Sequence, residues 1–297
     1  MTATDEHADR FTVLRPLLFT IAYEILGSAT EADDVLQDSY LRWATVDLDE
    51  VRDTKAYLAQ LVTRQALNTL RSQARRREDY VGPWLPEPLL LDERDASEDV
   101  VLAESVSMAM LVVLETLTPD ERAVFVLREV FGFSHDEIAA AVGKSAAAVR
   151  QIAHRARQHV HARRRRFEPT NPQQSEQITM EFLMAAATGD LDGLMGMLAP
   201  DVVFTSDSDG KASAARRPVL GPAKVARLII GLFRQATPEY RIDVANYNGA
   251  PALVVYHGDV PESVMTIEVT DGTITNFYAM RNPEKLAAVT VRREISR

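Results

Sequence analysis

The sequence predicts a multidomain protein in which two all-α domains precede an α+β domain. Three observations carry that reading. Apolar residues recur at helical spacing through most of the first 163 residues. A stretch holding Gly82, Pro83, Pro86 and Pro88 interrupts them, which a continuous helix does not tolerate. Beyond Val202 the apolar runs become short and strand-like, and Asn248-Gly249 and Asp271-Gly272 fall between runs, as hairpin turns require. A length of 297 residues accommodates two domains more easily than one.

The first helix follows from Phe11, Leu14, Leu18, Ile21 and Ile25, up to Gly27; Ser28 and Thr30 then offer caps for a second helix from about Glu31. On that helix Ala32, Val35, Leu36, Ser39 and Trp43 share one side, and Asp34, Gln37, Asp38 and Leu41 fall opposite them, so one face packs and the other is acidic and exposed. A third helix fits Thr54 to Arg77, with Leu58, Val62 and Ala66 as its buried stripe. Arg64, Asn68, Arg71 and Arg75 fall in one narrow sector of it, a basic ridge. The loop from Ala44 to Asp53 has no aromatic residue of its own; Trp43 and Tyr57 stand at its edges, and for Trp43 core packing is the simpler role. Tyr80 to Asp99 reads as a linker. Helical periodicity resumes near Glu98, runs through Leu111 and Leu114, stops at Thr118-Pro119 and restarts at Asp120; Thr118 is the N-cap, Pro119 takes the first helical position and Glu121 completes a capping box.

The most specific segment follows. Phe133 to Val142 is a short helix capped by Ser134, then comes Gly143-Lys144-Ser145, then a second helix from Ala146 to about Arg163. Ala139, Gly143, Val149 and Ile152 stand where a helix-turn-helix needs a small crossing residue, a turn glycine and two core contacts. Arg150, Gln151, His154 and Arg155 lie on the outer side of the second helix, where glutamine can pair with adenine and arginine with guanine or phosphate.

Composition narrows the function. The longest apolar run, Met108 to Leu114, is too short to cross a bilayer, and Met1 to Arg10 carries three acids and no signal-like core, so the expected compartment is the cytoplasm. The absence of cysteine excludes disulfides, thiolate metal sites and cysteine nucleophiles. His159 and His161 sit in a basic tail with no carboxylate nearby, and neither a metal nor a cofactor is expected. The net charge of −10 is blocked rather than spread: residues 144–166 hold 8 bases and no acid, while residues 78–121 hold 12 acids against Arg94 alone. Basic stretches flanking an acidic one suit a duplex-binding chain with built-in electrostatic competition.

After Phe167 a second linker, Glu168 to Ser175, leads to helices near 175–188 and 191–198. Strands follow at Val202–Thr205, Tyr240–Asn246, Ala252–His257, Ser263–Val269 and Ile274–Arg281, interrupted by a helix from Gly221 to Gln235. Helices followed by a curved antiparallel sheet suggest a cone with a cavity. Asp207, Tyr240, Tyr247, Tyr256, His257, Tyr278 and Arg281 are candidate lining residues, though no pair has a spacing that demands catalysis.

These residues carry a resemblance. Residues 8–78 resemble region 2, and residues 98–166 region 4, of bacterial sigma factors of the extracytoplasmic-function (ECF) group; the phrase Ile25-Leu26-Gly27-Ser28 followed by Glu31 to Asp38 is similar to the family's polymerase-binding helix. The resemblance implies that Asp33, Asp34, Gln37, Asp38 and Leu41 dock on the clamp helices of the polymerase large subunit. It implies that Lys55, Arg64, Asn68, Arg71 and Arg75 melt and hold the −10 element, with the loop from Ala44 to Asp53 as the candidate for base capture, where Trp43 and Tyr57 would have to stack, and that Lys144, Ser145, Arg150, Gln151, His154 and Arg155 read the −35 element. Residues 175–297 resemble the SnoaL-like branch of the NTF2-like superfamily, a cone-shaped α+β domain, with residues 79–97 and 167–174 as linkers. Members of the ECF group with a fused SnoaL-like domain are similar in three places: Trp84-Leu85-Pro86-Glu87-Pro88, Asn282-Pro283-Glu284-Lys285-Leu286, and Asp207-Ser208-Asp209-Gly210, the last poorer in glycine than usual.

The implied function is promoter-directed transcription initiation with core RNA polymerase, without enzymatic activity, regulated in cis by the last domain. That domain is expected to join the Trp84–Pro88 and Asn282–Leu286 motifs and could take a small-molecule ligand. Two alternatives stay open from the residues: a cyclase- or isomerase-like enzyme with a DNA-binding tether, and a one-component ligand-sensing regulator.

Overall fold

The computed structural model describes residues 3–91, 99–163 and 172–297. The linker expected at 167–174 falls largely outside the described residues, as does the acidic end of the one at 79–97.

The chain forms two compact units, each built from discontinuous stretches: residues 1–78, 92–165 and 293–297 in the first, and residues 79–91 and 166–292 in the second. The linear division at 79–97 and 175–297 is therefore corrected. Residues 79–91 pack as part of the α+β unit, because Leu85, Leu89 and Leu91 have apolar side chains to bury and backbone groups to pair.

In the first unit, α1 (Ala3–Leu26), α2 (Ala29–Trp43) and α3 (Thr54–Glu78) pack around Leu18, Ile21, Ile25, Leu36, Leu58 and Val62. Ser28 caps α2 by accepting from the Glu31 N–H at 3.1 Å. Trp43 is a core residue: it is fully buried, and its indole N–H donates to the His7 carbonyl at 2.9 Å. It is not available to stack a base.

The helix expected from Glu98 through Leu114 is two helices, α4 (Val100–Ser105) and α5 (Met108–Leu114). Ser107 is extended between them and its hydroxyl accepts from the Met110 N–H at 3.2 Å, so a serine that reads as neutral within a helix instead starts a new one. α6 (Pro119–Phe125) begins at the Thr118–Glu121 capping box and runs on through a π turn at Val126–Val130. α7 (His135–Val142) starts at a second capping box, Ser134–Glu137, and ends at Gly143, whose φ of 70° favours glycine; α8 (Ala146–Arg163) follows.

In the second unit, α9 (Pro172–Thr188) and α10 (Leu191–Met197) lead into β1 (Leu198–Asp207), β2 (Val219–Leu220), α11 (Pro222–Arg234), β3 (Tyr240–Tyr247), β4 (Ala250–His257), β5 (Val260–Thr270), β6 (Thr273–Met280) and α12 (Pro283–Leu286). The sheet order is β2-β1-β6-β5-β4-β3; β1 and β6 are parallel and the other pairs antiparallel. The tight turns carry positive φ at both central residues, Asn248 and Gly249 or Asp271 and Gly272. One face of the sheet packs on α9, α10 and α11. There the Phe182 and Phe204 rings lie 5.1 and 5.9 Å from Phe277, with Leu194, Val225 and Ile229 beside them. Side chains fill this face of the sheet.

Candidate functional site

On α2 the predicted division of faces is realised. Ala32, Val35, Leu36, Ser39 and Trp43 are buried, Asp34, Gln37 and Asp38 are exposed, and Leu41 is 61% exposed. Asp33 is different: it accepts from Arg15 at 3.1 Å and from Arg293 at 2.5 Å. Arg293 belongs to a segment, residues 293–297, that lies on the first unit. Its guanidinium faces the Phe19 ring, Ile295 is buried, and the Ser296 N–H donates to the Thr20 hydroxyl at 3.2 Å. Arg297 pairs with Asp99, the N-cap of α4.

The two basic surfaces face partners inside the same unit. On α3, Lys55 and Asn68 are exposed, but Arg64 and Gln60 donate to the Ala140 carbonyl of α7 at 2.7 and 3.0 Å. Arg71 pairs with Asp120 at 2.7 Å, and the other oxygen of Asp120 takes Lys144, from the turn before α8, at 2.8 Å. The side chain of Arg75 lies outside the described residues. Burial tends to raise the Asp120 carboxyl, but hydrogen bonds and charge from Lys144 and Arg71 outweigh it and hold the group below its ordinary value. On α8, Val149, Ile152, Ala153, Ala156 and Val160 are buried, while Arg150, Gln151, His154 and Arg155 line one open surface concavity. Arg155 lies 3.6 Å from Glu121, and the hydroxyl of Ser145 accepts from the Ala148 N–H at 3.2 Å.

In the second unit, residues 79–91 strap across the sheet domain. Asp207 is fully buried and collects three donors: the Tyr80 hydroxyl, the Leu85 N–H at 2.7 Å and the Lys285 ammonium at 2.8 Å. Lys285, 7% exposed, also donates to the Leu85 carbonyl at 2.6 Å and stands 3.3 Å from the centre of the Trp84 ring, which itself meets Tyr80 edge to face. Asn282 donates to the Tyr80 oxygen at 2.9 Å and accepts from the Glu284 N–H, capping α12, which starts at Pro283. Burial and the Asp207 carboxylate push the Tyr80 hydroxyl far above its usual range, so it stays a donor. Pro86, Glu87, Pro88 and Leu286 are buried. Beyond them Leu89 exchanges hydrogen bonds with Asn248, and the Leu91 N–H reaches the Asn246 carbonyl.

Residues 11–76 match the sigma-70 region 2 family and residues 107–160 the sigma-70 region 4 family. Over 287 residues the chain is 38% identical to the ECF RNA polymerase sigma factor SigJ of Mycobacterium tuberculosis, covering 93% of this chain and 91% of that one. The chain belongs to the ECF RNA polymerase sigma factors. It is also similar to SigI of the same species, 28% identical over 92% of both chains. The crystal structure of M. tuberculosis SigJ superposes with a TM-score of 0.75 at 34% identity, over 96% of this chain and all of that one. A sigma factor directs core RNA polymerase to promoters and starts transcription there. The fold class is the expected one, helical sigma regions followed by an α+β domain, and among the described residues no helix is long and apolar enough to cross a membrane.

The structure corrects one expectation for this sigma factor. The candidate cavity residues are not gathered at one place. Asp207 and Tyr278 alternate with Phe204 and Phe277, so they project from the sheet face opposite the helices. Asp207 lies under the strap, and the Tyr278 hydroxyl donates to Glu268 at 2.8 Å. Tyr240, Tyr256 and His257 lie at the far edge of the sheet, where Tyr240 opposes His257 and Arg241 covers the Tyr256 ring. Arg281 donates to the Ser213 carbonyl, and Tyr247 to the Val289 carbonyl. Sequence reasoning missed Asp120 as a bridge, the segment 293–297, and a buried group on α1 considered below. Of these only Asp120 left a signal, as a member of the acidic stretch.

Proposed function

We propose that α2 docks on the clamp helices of the polymerase large subunit through Asp33, Asp34, Gln37, Asp38 and Leu41, that α3 holds the −10 element through Lys55, Arg64, Asn68, Arg71 and Arg75, and that α8 with Lys144 and Ser145 reads the −35 element. The observation that carries the reading is the two-sidedness of α8: its apolar side is buried while Arg150, Gln151, His154 and Arg155 share one open concavity. Gln151 can reach a base edge and Arg155 a phosphate. The arrangement is a closed form. Arg64, Arg71 and Lys144 hold protein partners, which they must exchange for phosphates before regions 2 and 4 can act on separate promoter elements. The α+β domain regulates in cis: the segment 293–297 that follows it in sequence belongs to the helical unit, and its Arg293 occupies Asp33 of the docking face.

Run-off transcription with and without core polymerase tests this reading. The intact protein is expected to select a promoter only with core enzyme. Asp34→Lys with Asp38→Lys should abolish co-purification with core enzyme without altering the unfolding transition, and normal co-purification overturns the docking assignment. Gln151→Ala should relax base preference at one −35 position by about 1–3 kcal/mol. Arg155→Ala should weaken all promoters alike and lower the salt slope by about 0.9. An unchanged promoter ranking in the Gln151 variant removes its role.

A further inference from the structure

Glu24, on α1 of region 2, is fully buried. The groups that face it come from region 4: Ser105 at the end of α4, Arg122 on α6, and Glu115 just after α5. The Ser105 hydroxyl donates to Glu24 Oε1 at 2.6 Å, and Oε2 has no partner among the described residues. Arg122, 1% exposed, does not engage the Glu24 carboxyl: its Nε donates to the Glu24 backbone carbonyl at 2.7 Å, its Nη1 to Glu115 at 2.5 Å, and its Nη2 to no group among the described residues. Glu115 already balances the one cation, so an ionised Glu24 would leave this buried junction with an unmatched negative charge and a bare carboxylate oxygen. A proton on Glu24 removes the charge, which is the costlier of the two.

We infer that Glu24 is a proton-controlled lock between region 2 and region 4, holding them together when protonated and giving up its proton to solvent when they part. The inference rests on the proposed closed form and adds a chemical control to it. Burial pushes the carboxyl from its ordinary 4.5 up to about 8, against the lowering effects of the Ser105 hydrogen bond and the Arg122 charge. The sign follows from linkage. Between those two values the closed form binds a proton that the open form lacks, so rising pH favours opening, by up to about tenfold per pH unit, with no further change above about 8.

The chain has no cysteine, so Val13→Cys on α1 and Ala162→Cys on α8, both exposed, accept a donor and an acceptor dye cleanly in the full-length protein. The readout is the core polymerase concentration that half-separates the dyes, measured from pH 6 to 8. In the otherwise unmodified chain it should fall steeply with pH; with Glu24→Gln it should stay high and flat. Retention of the original pH dependence by Glu24→Gln, or its absence from the unmodified chain, overturns the lock. Dyes that fail to separate at any pH and polymerase concentration instead overturn the closed-form reading. Carboxyl-carbon NMR of 13C-glutamate-labelled protein needs neither polymerase nor the variant. One glutamate titrating above pH 7 is expected, and none titrating above pH 6 overturns the lock.

Discussion

Asp207 and Asp120 each join stretches far apart in sequence, but they do so in opposite surroundings. Asp207 is sealed from water with Lys285 and ties Tyr80, Leu85 and α12 together. The Asp120 side chain is 28% exposed, and its partners Arg71 and Lys144 are 49% and 32% exposed. Water competes for the second set and not for the first. A sealed pair is costly to break because it strands a buried charge, whereas an exposed one contributes about 0–1 kcal/mol and exchanges partners readily. The strap on the α+β domain is thus built to persist, and the bridge over the residues proposed to bind DNA is built to be released.

Removing one member of the sealed pair should have the largest effect. Lys285→Ala is expected to cost roughly 3–5 kcal/mol in urea unfolding, and Asp207→Asn added to Lys285→Met should recover part of it. A loss below about 1 kcal/mol would mean that water reaches Asp207 and that the contrast is false. Trp84→Ala comes next, at about 2 kcal/mol from the desolvated cation–π contact, and should be visible as faster proteolysis within residues 79–91. Promoter activity measured beside it sharpens the comparison: an intact response would make the strap structural only.

Asp120→Asn should change stability by less than about 1 kcal/mol yet strengthen duplex binding by the free protein, because Arg71 and Lys144 lose their shared acceptor. Equal binding before and after the substitution, in a filter or anisotropy titration, would show that the bridge does not occlude DNA. The pH response of this bridge runs opposite to that of Glu24. A carboxyl held below its ordinary 3.8 contributes stability that is present above that value and lost as pH falls through the depressed one, so the Asp120 bridge should weaken only under strong acid. The smallest expected effect is that of Arg293→Ala. It leaves Arg15 on Asp33 and should modestly tighten core polymerase binding, measured as a lower half-saturation concentration.

Much of the fold was legible in the sequence because its signals are local. The Thr118–Glu121 and Ser134–Glu137 capping boxes, the glycine after α7 and the Asn248-Gly249 and Asp271-Gly272 turns each act within a few residues, and each is realised. The buried and exposed sides of α2 and α8 follow equally from periodicity. The break at Ser107 was not legible, since a serine between apolar residues reads the same inside a helix or at its start. β2 was missed because two residues carry no period.

The order of parts, the helices, most of the strands and the side chains that face outward on α2 and α8 can all be read from the chain's local pattern. Long-range packing was needed to place residues 79–91 in the α+β unit and 293–297 in the helical one, to bring Asp207 to Lys285 and Asp120 to Arg71 and Lys144, and to bury Glu24 with no cation on its carboxyl among the described residues. The physical reason is range. Caps, turns and periodicity are set by neighbours along the chain, whereas the ionisation and pairing of a carboxylate are set by whatever the fold brings around it, from residues dozens to hundreds of positions away.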